Sequence, residues 1–149
     1  MNSDDITSLV AASASRFGFR DQQQLELLES RLRKVEQSEV LCGLVAVFCQ
    51  GEPAQSNSGA QELAGRLLAS LRPIGPIDLQ STIRNALPRY DLSVEQFPVH
   101  LAALCGLEAV HSVLQALSQE PISERDRRAL ETMRFWLRNR ETLQPHNDA

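Results

Sequence analysis

His100, Cys105 and His111 are the side chains whose types and spacing come nearest to chemistry in this sequence. A metal held by them would need donors converging at about 2.0 to 2.3 Å. In one unbroken helix the two histidines lie about three turns apart, but a chain turn at Gly106 puts them on opposite arms, where they can approach. Each sits at the edge of an apolar stripe, the ordinary place for an imidazole packed on one side and wet on the other. Cys105 faces inward, which argues against a Cys and His nucleophilic pair. No phosphate-binding glycine loop, dinucleotide fingerprint, nucleophile elbow, paired-histidine zinc motif or calcium loop occurs. The residues therefore imply no metal and no cofactor, and lean away from catalysis. The enzymatic alternative is a small-molecule pocket between helical hairpins, with His100 or His111 as acid or base near Glu108.

The residue that most suggests binding is Phe135. At 100° per residue it projects about 160° from Met133, among Glu124, Arg128, Glu131 and Arg138, where an apolar ring is out of place on a merely solvated face. Phe135 flanked by Arg128 and Arg138 is the mixture of aromatic and arginine enriched at interface hot spots. A second candidate is Arg89 with Tyr90, in the turn after Pro88.

The elements that must position these residues are helices. Residues 40–49 (VLCGLVAVFC) carry no charge, amide or hydroxyl, and a segment apolar all round is buried on every side. The run is about half the length of a membrane span, with Glu39 before it and Gly51, Glu52 and Pro53 after it. A buried strand is the alternative, but Ser38 and Glu39 suit a helix N-terminus and no partner strand is evident. This gives a central buried helix at about 38–50, with Cys42 and Cys49 as buried reduced thiols.

Around it, residues 4–17 read as a helix capped by Ser3 or Asp4, with a thin apolar face that docks as a cover or frays. Residues 21–37 form a helix capped by Asp21, with Leu25, Leu28, Leu32 and Val35 on one face and a break near Gln37 and Ser38. Residues 51–59 are a mobile loop. Helices follow at 60–71 and after the Asp78 cap. From Pro98 two arms turn about Gly106 into an antiparallel hairpin, and a last helix runs from the Ser123 cap to about Thr142 with Ala129, Leu130, Met133, Trp136 and Leu137 inward. Glu124 with Arg128, and Arg127 with Glu131, are four-apart pairs on its outer face.

The expected fold is all-α: a compact bundle, or a short α-solenoid-like stack of helical hairpins, in one domain over 1–143 with a disordered tail at 144–149. The rhythm of paired helices is similar to that of HEAT or armadillo hairpins, but no consensus residue repeats.

Charge narrows the function classes. Net charge is −4, which disfavours a nonspecific nucleic-acid binder, and the arginines of 125–140 are interleaved with acids. Residues 1–62 hold 9 acidic against 5 basic residues, and 63–149 hold 10 of each. The acidic N-terminus lacks the order of a signal peptide, and an odd number of cysteines suits a reducing compartment, so the expected location is cytoplasmic, without membrane or nucleic-acid partners. The leading expectation is a non-enzymatic helical protein–protein interaction module with a protein partner or a second copy of itself. The alternative is a small acidic inhibitor or immunity-type protein that covers a basic surface with Asp4, Asp5, Asp21, Glu26, Glu29, Glu36 and Glu39.

Overall fold

The computed structural model describes residues 1–51 and 58–143. Most of the expected loop at 51–59 and all of the expected tail at 144–149 lie outside the described residues. Within them the chain forms eight helices and no strand: α1 (Ser3–Phe17), α2 (Gln22–Leu32), α3 (Gln37–Cys49), α4 (Ser58–Leu71), α5 (Leu79–Ala86), α6 (Gln96–Cys105), α7 (Leu107–Ser118) and α8 (Glu124–Leu143). They pack as a compact helical bundle.

The apolar run is a helix, α3, with Val40, Leu41, Leu44, Val45, Val47 and Phe48 buried. It is not enclosed on every side. Cys42 is exposed and Cys49 half-buried, because the edge of α3 that faces α5 is left open as a cleft lined by both thiols, Ile77 and Ser81. The packing centre is shared: α3 rests on α1, α4 and α5, while α4 also meets α2 and α6. Helices α7 and α8 pack on each other and on α6. A stacked ring pair, Phe48 on Phe97 with centroids 4.3 Å apart and planes 19° apart, joins α3 to α6.

Helix α1 is docked rather than frayed. Its cap is Asn2, whose side chain accepts from Asp5 N–H while the Asp5 carboxylate accepts from Asn2 N–H, each at 2.9 Å. Ile6 and Val10 are fully buried. The crossing with α3 is close because Gly43 has no side chain: a Cβ there would stand 2.7 Å from Ile6 Cβ and 2.8 Å from the Ser3 carbonyl oxygen. Two hydrogen bonds fix the crossing, Thr7 Oγ1 to the Gly43 carbonyl at 2.8 Å and Ser3 N–H to Glu39 Oε1 at 2.7 Å.

Helix α2 begins at the expected Asp21 cap and buries Leu28 and Leu32, but ends earlier than expected. The chain breaks across 33–36, with Glu36 at ψ 136°. Helix α6 starts at Gln96, two residues before the expected Pro98, so Pro98 sits in its first turn, where the missing N–H costs no intrahelical hydrogen bond. At Gly106 (φ +96°) the chain bends by 117° between α6 and α7, an oblique corner in place of an antiparallel hairpin. No single helix among the described residues is long and apolar enough to cross a membrane.

Candidate functional site

The histidines and the cysteine of the opening cluster are not brought together. His100, on the inner side of α6, is buried and its Nε2 lies 3.0 Å from the Pro73 carbonyl oxygen. A carbonyl can only accept, so Nε2 carries the proton and the ring pins the chain after α4 against α6. Burial holds His100 below its ordinary value, partly offset by the Pro73 bond. His111 instead lines a shallow depression with Gln115, Gln119 and Arg134. Cys105 is half-buried, and burial pushes its thiol up. Among the described residues no three His, Cys, Asp or Glu side chains are placed to hold a metal ion.

The turn at Arg89 and Tyr90 is a clasp, not a docking surface. Tyr90 is fully buried and its hydroxyl donates to the Val94 carbonyl at 2.7 Å. Arg89 donates to the carbonyls of Gly51 at 2.8 Å and Asn85 at 2.7 Å. Gln61, buried on α4, donates to the Arg89 carbonyl and accepts from Asp91 N–H. From α8, Arg125 reaches the carbonyls of Pro88 and Tyr90. A turn with this many exposed carbonyls needs donors once it is buried, and two distant helices supply them.

The acids of the first half are largely committed as well. Six of the seven candidate acids accept hydrogen bonds: Asp5 from Asn2 N–H, Asp21 as the α2 cap, Glu26 from Gln22, Glu29 from Ser70, Glu36 from Ser38 and Glu39 from Ser3.

The outer face of α8 is different. Ser123 Oγ accepts from Asp126 N–H at 3.0 Å and starts the helix where expected. Ala129, Leu130, Met133 and Leu137 are buried, which turns Phe135 outward, 46% exposed. The ring is held in place: Trp136 beside it donates from Nε1 to the Leu92 carbonyl at 3.0 Å, and Phe135 meets the Trp136 ring edge-on with centroids 5.2 Å apart. The arginines divide by role. Arg125 and Arg134 tie α8 to the body, the latter bridging Glu131 at 3.1 Å and Gln115 at 3.0 Å. Arg128 and Arg138 are exposed beside Phe135. The four-apart pairs expected on this face are replaced, Glu131 by pairing with Arg134 and Arg127 by reaching the Ser118 carbonyl. Arg128 has no partner among the described residues.

No protein-family model, no curated protein and no solved structure matches this chain. Function has to be read from the surface itself.

Two features escape sequence reasoning altogether. Gln61 reads as an ordinary helical glutamine, with no signal of its burial. Arg72 follows directly on the helix expected at 60–71 with nothing in its type to single it out, yet it has φ +49° and lines a cleft of about 350 Å³ between α4 and α6.

Proposed function

We propose that the chain is a helical protein–protein interaction module, and that its partner seats on the outer face of α8 at Phe135, Arg128 and Arg138. The observation that carries this is the half-exposed Phe135 ring, braced by a Trp136 that is itself hydrogen-bonded to Leu92. A single exposed apolar residue is ordinary, but a rigid aromatic costs little side-chain entropy to dock, and an unpaired arginine beside it loses no existing ion pair on binding. The charge pattern selects a partner that brings carboxylates to the rim and an apolar pocket to the centre.

The test compares wild type with Phe135→Ala and with the double charge reversal Arg128→Glu, Arg138→Glu. Sedimentation velocity over a wide concentration range reads self-association, and matched pull-downs read a heterologous partner. The expected result is weaker association in both variants, by about tenfold or more for Phe135→Ala, with thermal stability nearly unchanged since all three side chains are exposed. A wild-type monomer at high concentration, together with captured proteins identical in wild type and variants, overturns the proposal.

A further inference from the structure

At Gly65 α4 packs close against the start of α6: a Cβ there would come within 2.8 Å of Val94 Cγ1, just before α6, and 3.3 Å of Gln96 Cβ in its first turn. One turn further along α4 they leave the cleft of about 350 Å³, at the small end of the range for ligand pockets. No residue of α8 lines it. Its walls are apolar, from Leu68, Ile74, Val99 and Leu104, and its polar groups are Arg72, Gln96 and His100. No carboxylate lines it.

Three observations mark this cleft as more than a packing gap. Arg72 occupies the left-handed region at φ +49°, a conformation that glycine adopts freely after a helix and that is strained for an L side chain. Strain of that kind collects at functional sites. The Arg72 guanidinium and the Gln96 amide have no hydrogen-bond or ion-pair partner among the described residues. Ile74, beside them, is 60% exposed, although its backbone is held by Gln37 and the preceding Pro73 by His100. The strap thus presents an unpaired cation and an uncovered apolar side chain to the same concavity on a fixed backbone.

We infer that this cleft binds a small amphipathic carboxylate, with the head group on Arg72 and Gln96 and the aliphatic tail on Leu68, Val99 and Leu104. A planar guanidinium matches a carboxylate in shape and charge. The Gln96 amide supplies a second donor, and the apolar walls favour burial of the tail over its solvation. His100, neutral and committed to Pro73, forms the wall without contributing charge.

The test uses the full chain with sodium octanoate as the probe, by titration calorimetry and by NMR of the His100 ring. Octanoate is expected to bind saturably and to shift the His100 resonances. 1-Octanol and octylammonium are expected to bind at least tenfold more weakly. Arg72→Gln is expected to weaken octanoate binding about tenfold or more. Ala103→Phe, at an exposed position on the cleft wall, is expected to abolish binding by filling it, with helix content by circular dichroism intact in both variants. Arg72→Gly relieves the backbone strain and is expected to lose binding without losing stability, so misfolding is not confused with loss of the site. Absence of saturable octanoate binding to the wild type overturns the inference, as does equal binding to the Arg72→Gln and Ala103→Phe variants or of 1-octanol. Phe135→Ala is expected to bind octanoate as wild type does, so failure of the α8 interface leaves this site standing, and the reverse.

Discussion

Whereas Arg84 and Glu120 shift through their mutual hydrogen bond, burial is the leading cause of the shifts at Cys49, Tyr90, His100 and Cys105. His100 is the clearest case. Its folded value lies below the ordinary 6.5 because burial penalises the imidazolium, so the unfolded chain binds the proton more readily than the folded one. Stability contributed by neutral His100 is fully present above the unfolded value and is lost as pH falls through it toward the lower folded value. The unfolding midpoint in urea is expected to drop between about pH 7 and about pH 5. The drop should be smaller in His100→Gln, whose amide can still donate to Pro73, and an identical drop in both proteins would show that other groups carry it. The thiols divide in the same manner. Cys49 donates to the Thr82 carbonyl at 3.4 Å, and burial pushes its thiol up to about 11, while Cys42 lies exposed on the same helix. A thiol reagent at neutral pH should therefore modify Cys42 in a fast phase and Cys49 only slowly, since the thiolate is the reactive form. In a Cys105→Ser background, which removes the third, half-buried thiol, Cys42→Ser should remove the fast phase, and a fast phase that survives would contradict this exposure pattern.

At the level of elements, the α1–α3 crossing is the least tolerant point. Alanine in place of Gly43 gains about 1 kcal/mol of helix propensity but drives a methyl against Ile6 and the Ser3 carbonyl at 2.7 to 2.8 Å. Overpacking of that kind costs about 1 to 3 kcal/mol, and here one of the crowding atoms is backbone that cannot rotate away, which puts the cost at about 2 to 3 kcal/mol. Gly43→Ala is expected to lower stability by about 1 to 2 kcal/mol in urea unfolding. Adding Ile6→Val should not rescue it, because valine keeps both the Cβ and Cγ2 atoms that crowd the site. A neutral or stabilising Gly43→Ala would mean that α1 can slide. Element identity was readable from the sequence because capping residues and apolar spacing agree: Asp21, Asp78 and Ser123 each accept from the backbone N–H three residues on. Element ends were less readable. The stop of α2 at Leu32 and the oblique corner at Gly106 depend on where neighbouring helices leave room.

Over the whole molecule, the Phe48 and Phe97 stack connects the first four helices to the last three. Phe97→Ala removes one ring of the stack and its tilted contact with Tyr90, whose centroid lies 6.0 Å away. The expected loss is about 3 to 5 kcal/mol, measured by denaturant titration. A loss under about 1 kcal/mol would show that the stack does not hold the two parts together. The residues to be substituted, Phe135, Arg128 and Arg138 on α8 and Arg72 and Ala103 at the α4–α6 cleft, are all exposed. Substitutions there can change binding without unfolding the protein, and this separability is what makes both proposals testable.

The sequence by itself determined that the chain is helical, where most helices begin, and that Phe135 faces away from the Ala129, Met133 and Leu137 stripe. Each follows from local spacing and from backbone groups satisfied within a few residues. Only the tertiary structure decided that Tyr90 and Arg89 are a clasp, that Cys42 is exposed beside a buried run, that His100 and His111 line different clefts, and that Arg72 stands unpaired at the rim of one of them. Those facts depend on which helix covers which, and that is set by contacts between residues far apart in the chain, to which periodicity is blind.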